Sequence, residues 1–133
     1  MNTDPIADFL TRIRNACRVS LPNTEVQSSK LKIEMAKLLL REGYIRGYEL
    51  RDQDGRKDQL LRVLLKYDAL GFPAIRSIRR VSRPGLRKYY RVDNIPRILS
   101  GAGIVVLSTN KGLLTDRDAR RERVGGEALC TIQ

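Results

Sequence analysis

Two apolar stripes at helical spacing predict the helices in the first half of the chain. The first stripe consists of Ile6, Phe9, Leu10, Ile13 and Cys17. The second consists of Leu31, Met35, Leu38 and Leu39. Asp4 can cap the first helix, and either Ser28 or Ser29 can cap the second, over 30–42, because a short side-chain oxygen can accept from a free backbone N–H. Gly43 can end the second helix in the left-handed conformation.

Strand-like segments surround these two helices at 24–27, 44–51 and 59–67, and a turn at 52–55 joins the last two. The order helix, strand, helix, strand, strand predicts an αβαββ lobe over residues 1–70. Gly71, Phe72 and Pro73 then interrupt the pattern. We therefore expect a second lobe over residues 71–133.

The second lobe is predicted to be mostly β, with short helices. Its expected strands lie at 75–80, 88–92, 104–107, 113–115 and 127–133. Short helices are expected around 95–99 and at 116–123, where capping can account for Asp116 and Asp118. The chain as a whole is thus predicted to have an α+β fold made of two small lobes.

The charge balance narrows the classes of partner. The chain has 26 Lys and Arg against 15 Asp and Glu, a net charge of +11 and a pI near 10.3. A pI above ~9 is typical of nucleic-acid-binding domains. Membrane surfaces and acidic proteins are also polyanions, so the charge alone does not show whether the partner is a nucleic acid, a membrane or an acidic protein. Residues 67–133 carry more of the excess, with 13 basic and 6 acidic side chains.

Several classes of function are disfavoured. The two cysteines, Cys17 and Cys130, have no metal-binding spacing, and the chain has no histidine to activate a nucleophile. They can form a disulfide, although two buried thiols in a reducing compartment fit better. The chain start has acids where a secretory leader has basic residues, and no apolar run approaches the ~18 residues of a membrane span. We expect a soluble protein with no cofactor, no metal and no small-molecule substrate. An RNA-modifying enzyme would need a cofactor or a base that this chain lacks.

A basic stretch over residues 76–91 has seven basic side chains and no acidic one. Its members form a candidate phosphate clamp, because guanidinium groups match phosphate oxygens: Arg76, Arg79, Arg80, Arg83, Arg87, Lys88 and Arg91. Tyr89 or Tyr90 can offer a ring for a base to stack on, but not both, because neighbouring strand residues point in opposite directions. The alternative is a solvated basic edge that repels other strands.

Two polar segments offer short groups for reading bases. Residues 108–112 supply hydroxyl, amide and ammonium groups in a tight loop after a buried strand. At 125–127, two glycines allow a close approach to another chain, and Glu127 can accept from a base edge or pair with an arginine of the clamp. Taken alone, the first segment is an ordinary polar turn and the second a helix C-cap followed by an exposed strand residue.

From Gly103 to Arg120 the sequence GIVVLSTNKGLLTDRDAR closely resembles the signature of the bacterial-type family of small-subunit ribosomal protein eight. The resemblance continues through 124–132, and upstream through 83–89, 95–99, 12–16 and 3–8, so it covers the whole chain. It implies two α/β lobes that bind the central domain of small-subunit ribosomal RNA early in assembly, at an irregular helix with exposed bases. The major groove of a regular A-form helix is too narrow for side chains to reach the base edges.

The resemblance also implies the residues that contact RNA. The specific surface would consist of Ser108, Thr109, Asn110, Lys111, Gly112, Gly125, Gly126 and Glu127. Flanking contacts would come from Thr3, Asp4, Asn15, Lys30, Pro84, Gly85 and Tyr89. The family commonly has serine where Asn110 stands, and asparagine keeps a donor and an acceptor on a longer side chain.

The cellular setting follows from the same resemblance. It implies a monomer among neighbouring small-subunit proteins in a cytoplasmic ribosome, or in an organellar one, without a membrane partner. The alternative is a DNA-binding or architectural basic protein. No convincing helix-turn-helix with a basic recognition helix supports it, because the arginines cluster on strands and turns.

Overall fold

The computed structural model describes residues 4–55, 59–98 and 102–133. In these ranges it has three α-helices and two antiparallel sheets, so the predicted α+β class is confirmed. The chain divides into two compact units. The first is Ile6–Arg76, and the second holds Ser77–Gln133 together with Asp4 and Pro5. The division thus falls after Arg76, whereas the sequence pattern put the lobe boundary after residue 70.

The first unit has the predicted αβαββ order. Its elements are α1 Pro5–Arg18, from Ile6 onward, β1 Asn23–Gln27, α2 Lys30–Arg41, β2 Ile45–Asp52 and β3 Gln59–Leu65. The sheet order is β1-β3-β2, so β3 pairs with both neighbours. Along β3, Leu61, Val63 and Leu65 are buried in alternation with partly exposed residues. This strand therefore has the period-two pattern of a sheet with one face in the core.

Local signals account for the ends of α2. Of the two candidate serines, Ser29 is the cap, since its hydroxyl accepts from the N–H of Lys32 at 3.2 Å. Gly43 follows with a φ of +82°, the left-handed conformation expected from the sequence. The apolar stripe of α2 is buried at Met35, Leu38 and Leu39.

The second unit is built around its last strand. Its elements are β4 Ile78–Arg80, β5 Tyr89–Tyr90, β6 Ile104–Thr109, β7 Gly112–Thr115, α3 Asp116–Glu122 and β8 Gly126–Ile132. The sheet order is β4-β8-β6-β7, and β5 also pairs with β8. One face of the sheet packs with α3 around Val105, Leu107, Ala119 and Ala128. β8 therefore pairs directly with β4, β5 and β6, three of the strands that carry candidate RNA contacts.

The helix predicted around 95–99 is wrong in the part that the structure describes. Residues 95–98 are not helical, and a short 3₁₀ turn, Val92–Asn94, precedes them. Ile95 is extended, with φ −66° and ψ 122°. Pro96 explains this, because a proline ring disfavours the helical conformation in the preceding residue. Position 99 lies outside the described residues.

Asp116 has a different role from the capping expected at the start of α3. Thr115 is the cap, and its hydroxyl accepts from the N–H of Asp118. The buried Asp116 carboxylate instead accepts from the N–H of Val105 at 3.1 Å and from Arg120 at 2.9 Å. Arg120 also donates to the carbonyls of residues 95 and 96. This cluster joins α3, β6 and the segment after the 3₁₀ turn.

Candidate nucleic-acid interface

A row of three side chains crosses the sheet of the second unit. The strand register pairs Ser108 on β6 with Glu127 on β8, and Glu127 with Tyr89 on β5. Residues directly opposite each other in antiparallel strands share a face, with Cβ atoms about 4.5–5.5 Å apart. The two polar segments thus lie side by side, next to the basic stretch. We call Ser108, Glu127 and Tyr89 the polar row.

The two tyrosines of β5 point in opposite directions, as alternation requires. Tyr89 is 70% exposed, whereas Tyr90 is half-buried and packs against the apolar cluster under α3. Only Tyr89 therefore presents its ring on the face of the polar row. An exposed ring of this kind gives an unpaired base a stacking surface.

Glu127 is paired with an arginine of the predicted phosphate clamp. Its Oε2 atom lies 3.1 Å from Nη1 of Arg87, and its side chain is 14% exposed against 48% for Arg87. Among the residues that the structure describes, none donates a hydrogen bond to the other oxygen, Oε1. The carboxylate therefore keeps one acceptor while its charge is balanced.

The hydroxyl of Ser108 is available for a partner. None of residues 4–55, 59–98 and 102–133 forms a hydrogen bond with it, although Ser108 is only partly exposed. A small hydroxyl held on a strand can donate to or accept from a base edge or a ribose 2′-OH. The fold therefore presents this group without giving it an internal structural task.

The loop predicted at 108–112 is a two-residue hairpin turn, Asn110 and Lys111. Thr109 closes it, since its hydroxyl donates to the carbonyl of Gly112 at 2.8 Å and accepts from the N–H of Lys111 at 3.0 Å. Gly112 has a φ of +96°, which side chains rarely adopt. Lys111 Nζ lies 3.2 Å from Oε2 of Glu122, with both side chains about half exposed. Thr109 and Gly112 therefore shape the turn, and Asn110 is its exposed tip.

The paired glycines are needed by the protein's own strands. A Cβ on Gly125 would lie 2.2 Å from the carbonyl oxygen of Tyr90, and one on Gly126 would lie 2.3 Å from that of Ser108. Real Cβ atoms essentially never approach closer than 3.0 Å. The glycines thus allow β5 and β6 to approach β8. The C-cap alternative for this segment is wrong, because the left-handed cap of α3 is Arg123, with φ 57°.

Most basic residues of the stretch that lie in the second unit are exposed. Hydrogen bonds fix the loop between β4 and β5 that carries several of them. The backbone groups of Arg83 and Leu86 bond to each other, which puts Pro84 and Gly85 at an exposed turn. Sequence reasoning missed Ser82, which is fully buried and accepts from the N–H of Lys88 at 2.8 Å. The available signal was a small hydroxyl flanked by Val81 and Arg83 within the basic stretch. The members of the basic stretch that are exposed in this unit are Arg79, Arg83, Arg87, Lys88 and Arg91.

Arg80 differs from the other members of the predicted clamp. It forms an ion pair with Asp4, Nε to Oδ2 at 3.1 Å, and the two side chains are only 11% and 9% exposed. Arg80 also donates to the carbonyl of Leu129 at 2.8 Å. Both residues were predicted to contact RNA, yet here they hold each other and the backbone of β8. Their charges are not displayed on the surface.

The remaining predicted contacts belong to the first unit or lie outside the description. Asn15 on α1 and Lys30 at the start of α2 are exposed. Arg76 is also exposed, and its guanidinium lies 5.8 Å from the centre of the Phe72 ring. Thr3 lies outside the described residues.

Burial disfavours the thiolate form of both cysteines, because it raises the pKa of each thiol. Both cysteines are free. Burial raises the pKa of the Cys130 thiol to about 12, and the nearby Arg80 charge offsets part of that rise. Burial also raises the pKa of Cys17. Within the described ranges, no three His, Cys, Asp or Glu side chains gather to hold a metal ion, and no helix is long and apolar enough to cross a membrane.

An antiparallel sheet that presents a tyrosine, an unpartnered hydroxyl and a set of exposed arginines has the features of a nucleic-acid-binding protein. Residues 4–133 match the family model described as Ribosomal protein S8. The chain belongs to this family, which confirms the resemblance found in the sequence.

Curated relatives agree over the full length. The chain is 52% identical to the small ribosomal subunit protein uS8 of Thermus aquaticus, over 99% of each chain. It is 51% identical to that of Acidobacterium capsulatum and 48% identical to that of an Anaeromyxobacter species, in each case over 98% of this chain and 97% of the relative.

Proposed function

We propose that this chain is a non-catalytic structural protein of the small ribosomal subunit that binds the central domain of its ribosomal RNA and supports assembly. Family membership and the names of the relatives support the ribosomal role. It would act as a single copy among neighbouring small-subunit proteins. The RNA-binding lobe would be residues 71–133.

The observation that carries the proposal is the polar row. Tyr89 would stack on an unpaired base, for which such contacts contribute about 1–3 kcal/mol. The Ser108 hydroxyl would bond to a base edge or a 2′-OH, and Oε1 of Glu127 would accept from a base amine. Because a regular A-form groove does not admit these groups, the target would be a distorted helix with exposed bases.

Affinity and specificity would come from different residues. The exposed cations Arg79, Arg83, Lys88 and Arg91, together with Arg76, would neutralise phosphates without regard to sequence. Thr109 and Gly112 would fix the shape of the turn after Ser108. Asn110 and Lys111, at the turn itself, would contact the RNA. Gly125 and Gly126 would act by letting the strands approach. Asn15, Lys30, Thr3, Pro84 and Gly85 would make flanking contacts.

Competition binding at fixed salt tests this proposal. The purified protein is offered a transcript of the small-subunit central domain, the same RNA with its irregular helix made regular, and duplex DNA of equal length. We expect the irregular RNA to be preferred by at least about a thousandfold, the lower end of the specificity ratios typical of protein–DNA recognition. Equal binding to all three would contradict the proposal, and a preference for DNA would favour the architectural alternative.

A further inference from the structure

We propose that Arg87 is a positioning residue that sets base specificity by holding the Glu127 carboxylate, and that it is not a phosphate contact. This inference rests on the proposed RNA-binding function. Its first support is the ion pair itself, Nη1 to Oε2 at 3.1 Å, which joins the basic stretch to the middle of the polar row. No other cation of that stretch pairs with a residue of the row within the described parts of the chain.

A carboxylate at this place needs a cation beside it. Glu127 lies between Ser108 and Tyr89 on the face proposed to meet a polyanion, and its side chain is 14% exposed. Without compensation it would be repelled by phosphates and costly to desolvate further. Arg87 balances the charge and fixes Oε2, so that Oε1 remains as the acceptor for RNA.

The backbone around Arg87 keeps it in this position. The preceding residue, Leu86, is tied to Arg83 by two backbone hydrogen bonds. The following residue, Lys88, accepts at 2.9 Å from the N–H of Ala128, the neighbour of Glu127. Its own N–H donates to the buried hydroxyl of Ser82. Both partners of the ion pair thus lie on backbone segments that are bonded to each other.

An ionised carboxylate can only accept hydrogen bonds, so its orientation has a chemical consequence. It selects a base edge that offers an amine, as cytosine, adenine and guanine do in their exocyclic groups, and opposes an edge that offers only acceptors. If Arg87 fixes that orientation, its loss weakens discrimination at one base. A phosphate-contacting arginine would instead affect all RNAs in the same way.

A double-mutant cycle tests the inference. Arg87→Gln, Glu127→Gln and the double variant are measured against the central-domain transcript and against versions with each unpaired base changed in turn. We expect each single variant to lose about tenfold in affinity for the unchanged transcript and to lose its preference at the same base. The double variant should lose no more than either single one. The slope of affinity against salt should stay that of the wild type.

Arg83→Gln is the matched control, since this exposed arginine lies in the same loop and makes no ion pair with a described residue. It should weaken all RNAs alike and lower the salt slope by about one. If Arg87→Gln behaves in this way, or loses as much in the Glu127→Gln background as in the wild type, the positioning role is disproved. Arg87→Lys is a second variant, which keeps the positive charge but lacks the planar guanidinium group. Its preference at that base should lie between those of Arg87→Gln and the wild type. If the wild type itself does not prefer the irregular RNA, the proposed function fails instead.

Discussion

Two ion pairs in the second unit contain arginines of the same basic stretch and have the same 3.1 Å separation, yet they lie in different surroundings. Arg80 and Asp4 are 11% and 9% exposed, whereas Arg87 and Glu127 are 48% and 14% exposed. In the first pair, both charges are withdrawn from solvent, and Arg80 also bonds to the backbone of β8. In the second, a carboxylate faces the proposed RNA surface. Burial, and not the type of residue, separates the structural Arg80 from Arg87, which we propose to serve binding.

The largest expected effect is on stability and comes from Arg80→Ala. This change leaves the buried Asp4 carboxylate without its arginine, and breaking a buried pair typically costs about 3–5 kcal/mol. Urea unfolding should show a loss of that order in the free energy of unfolding. Arg79→Ala, on the exposed neighbour, should change it by less than about 0.5 kcal/mol. If both variants unfold like the wild type while Arg80→Ala binds RNA poorly, Arg80 is a phosphate contact after all.

The second-largest effect is expected from Gly126→Ala. The added Cβ would meet the carbonyl oxygen of Ser108 at 2.3 Å, so β6 and β8 would have to shift. Overpacking of this kind costs about 1–3 kcal/mol and here distorts the polar row directly. Thermal unfolding and affinity for the irregular RNA should both fall. For thermal unfolding, Gly85→Ala serves as the control, because its Cβ would meet no atom of the protein within 4 Å. Equal thermal unfolding of the two variants would contradict the strand-approach explanation.

Ser108→Ala separates binding from stability. The hydroxyl has no hydrogen bond to a described residue, so unfolding should be nearly unchanged. The free energy of binding to the irregular RNA should weaken by about 1–3 kcal/mol, the range for a base-edge contact. Non-specific RNA should bind as before. Glu127→Ala should show the same selectivity. An equal loss on both RNAs would remove these two residues from the specific surface.

The smallest expected effect is that of Arg79→Ala on RNA binding. As an exposed cation without an ion pair to a described residue, it should contribute one phosphate contact. All RNAs should bind slightly less well, and the salt slope should fall by about one. Titrations at three or more salt concentrations measure this slope. A loss confined to one RNA sequence would show that Arg79 reads bases.

Much of the first unit was predictable because its signals are local. The stripes of α1 and α2, the Ser29 cap and the left-handed Gly43 each depend on residues within about one helical turn. The helix predicted at 95–99 failed for a reason equally local, the effect of Pro96 on Ile95. The apolar pattern alone favours a helix there, but the restriction that Pro96 imposes on Ile95 outweighs it.

The candidate site was predictable as a set of residues and not as an arrangement. Family resemblance and residue chemistry selected Ser108, Glu127 and Tyr89, while alternation showed that Tyr89 and Tyr90 could not share a face. The sequence allowed Glu127 to pair with an arginine of the clamp but did not show which one, and it gave no sign that Arg80 pairs with Asp4. The carboxylates that pair with Arg80 and Arg87 lie 76 and 40 residues away along the chain.

The sequence by itself determined the fold class, the order of elements in the first unit, the basic character of the surface and the family. The tertiary structure alone decided which arginine is buried against Asp4, which one holds Glu127, and why two successive glycines are required. The physical reason is the distance along the chain between the residues that interact. Helix stripes, caps and turns are set by neighbours a few residues apart, whereas ion pairs and backbone approaches between strands depend on the register of the complete sheet around β8.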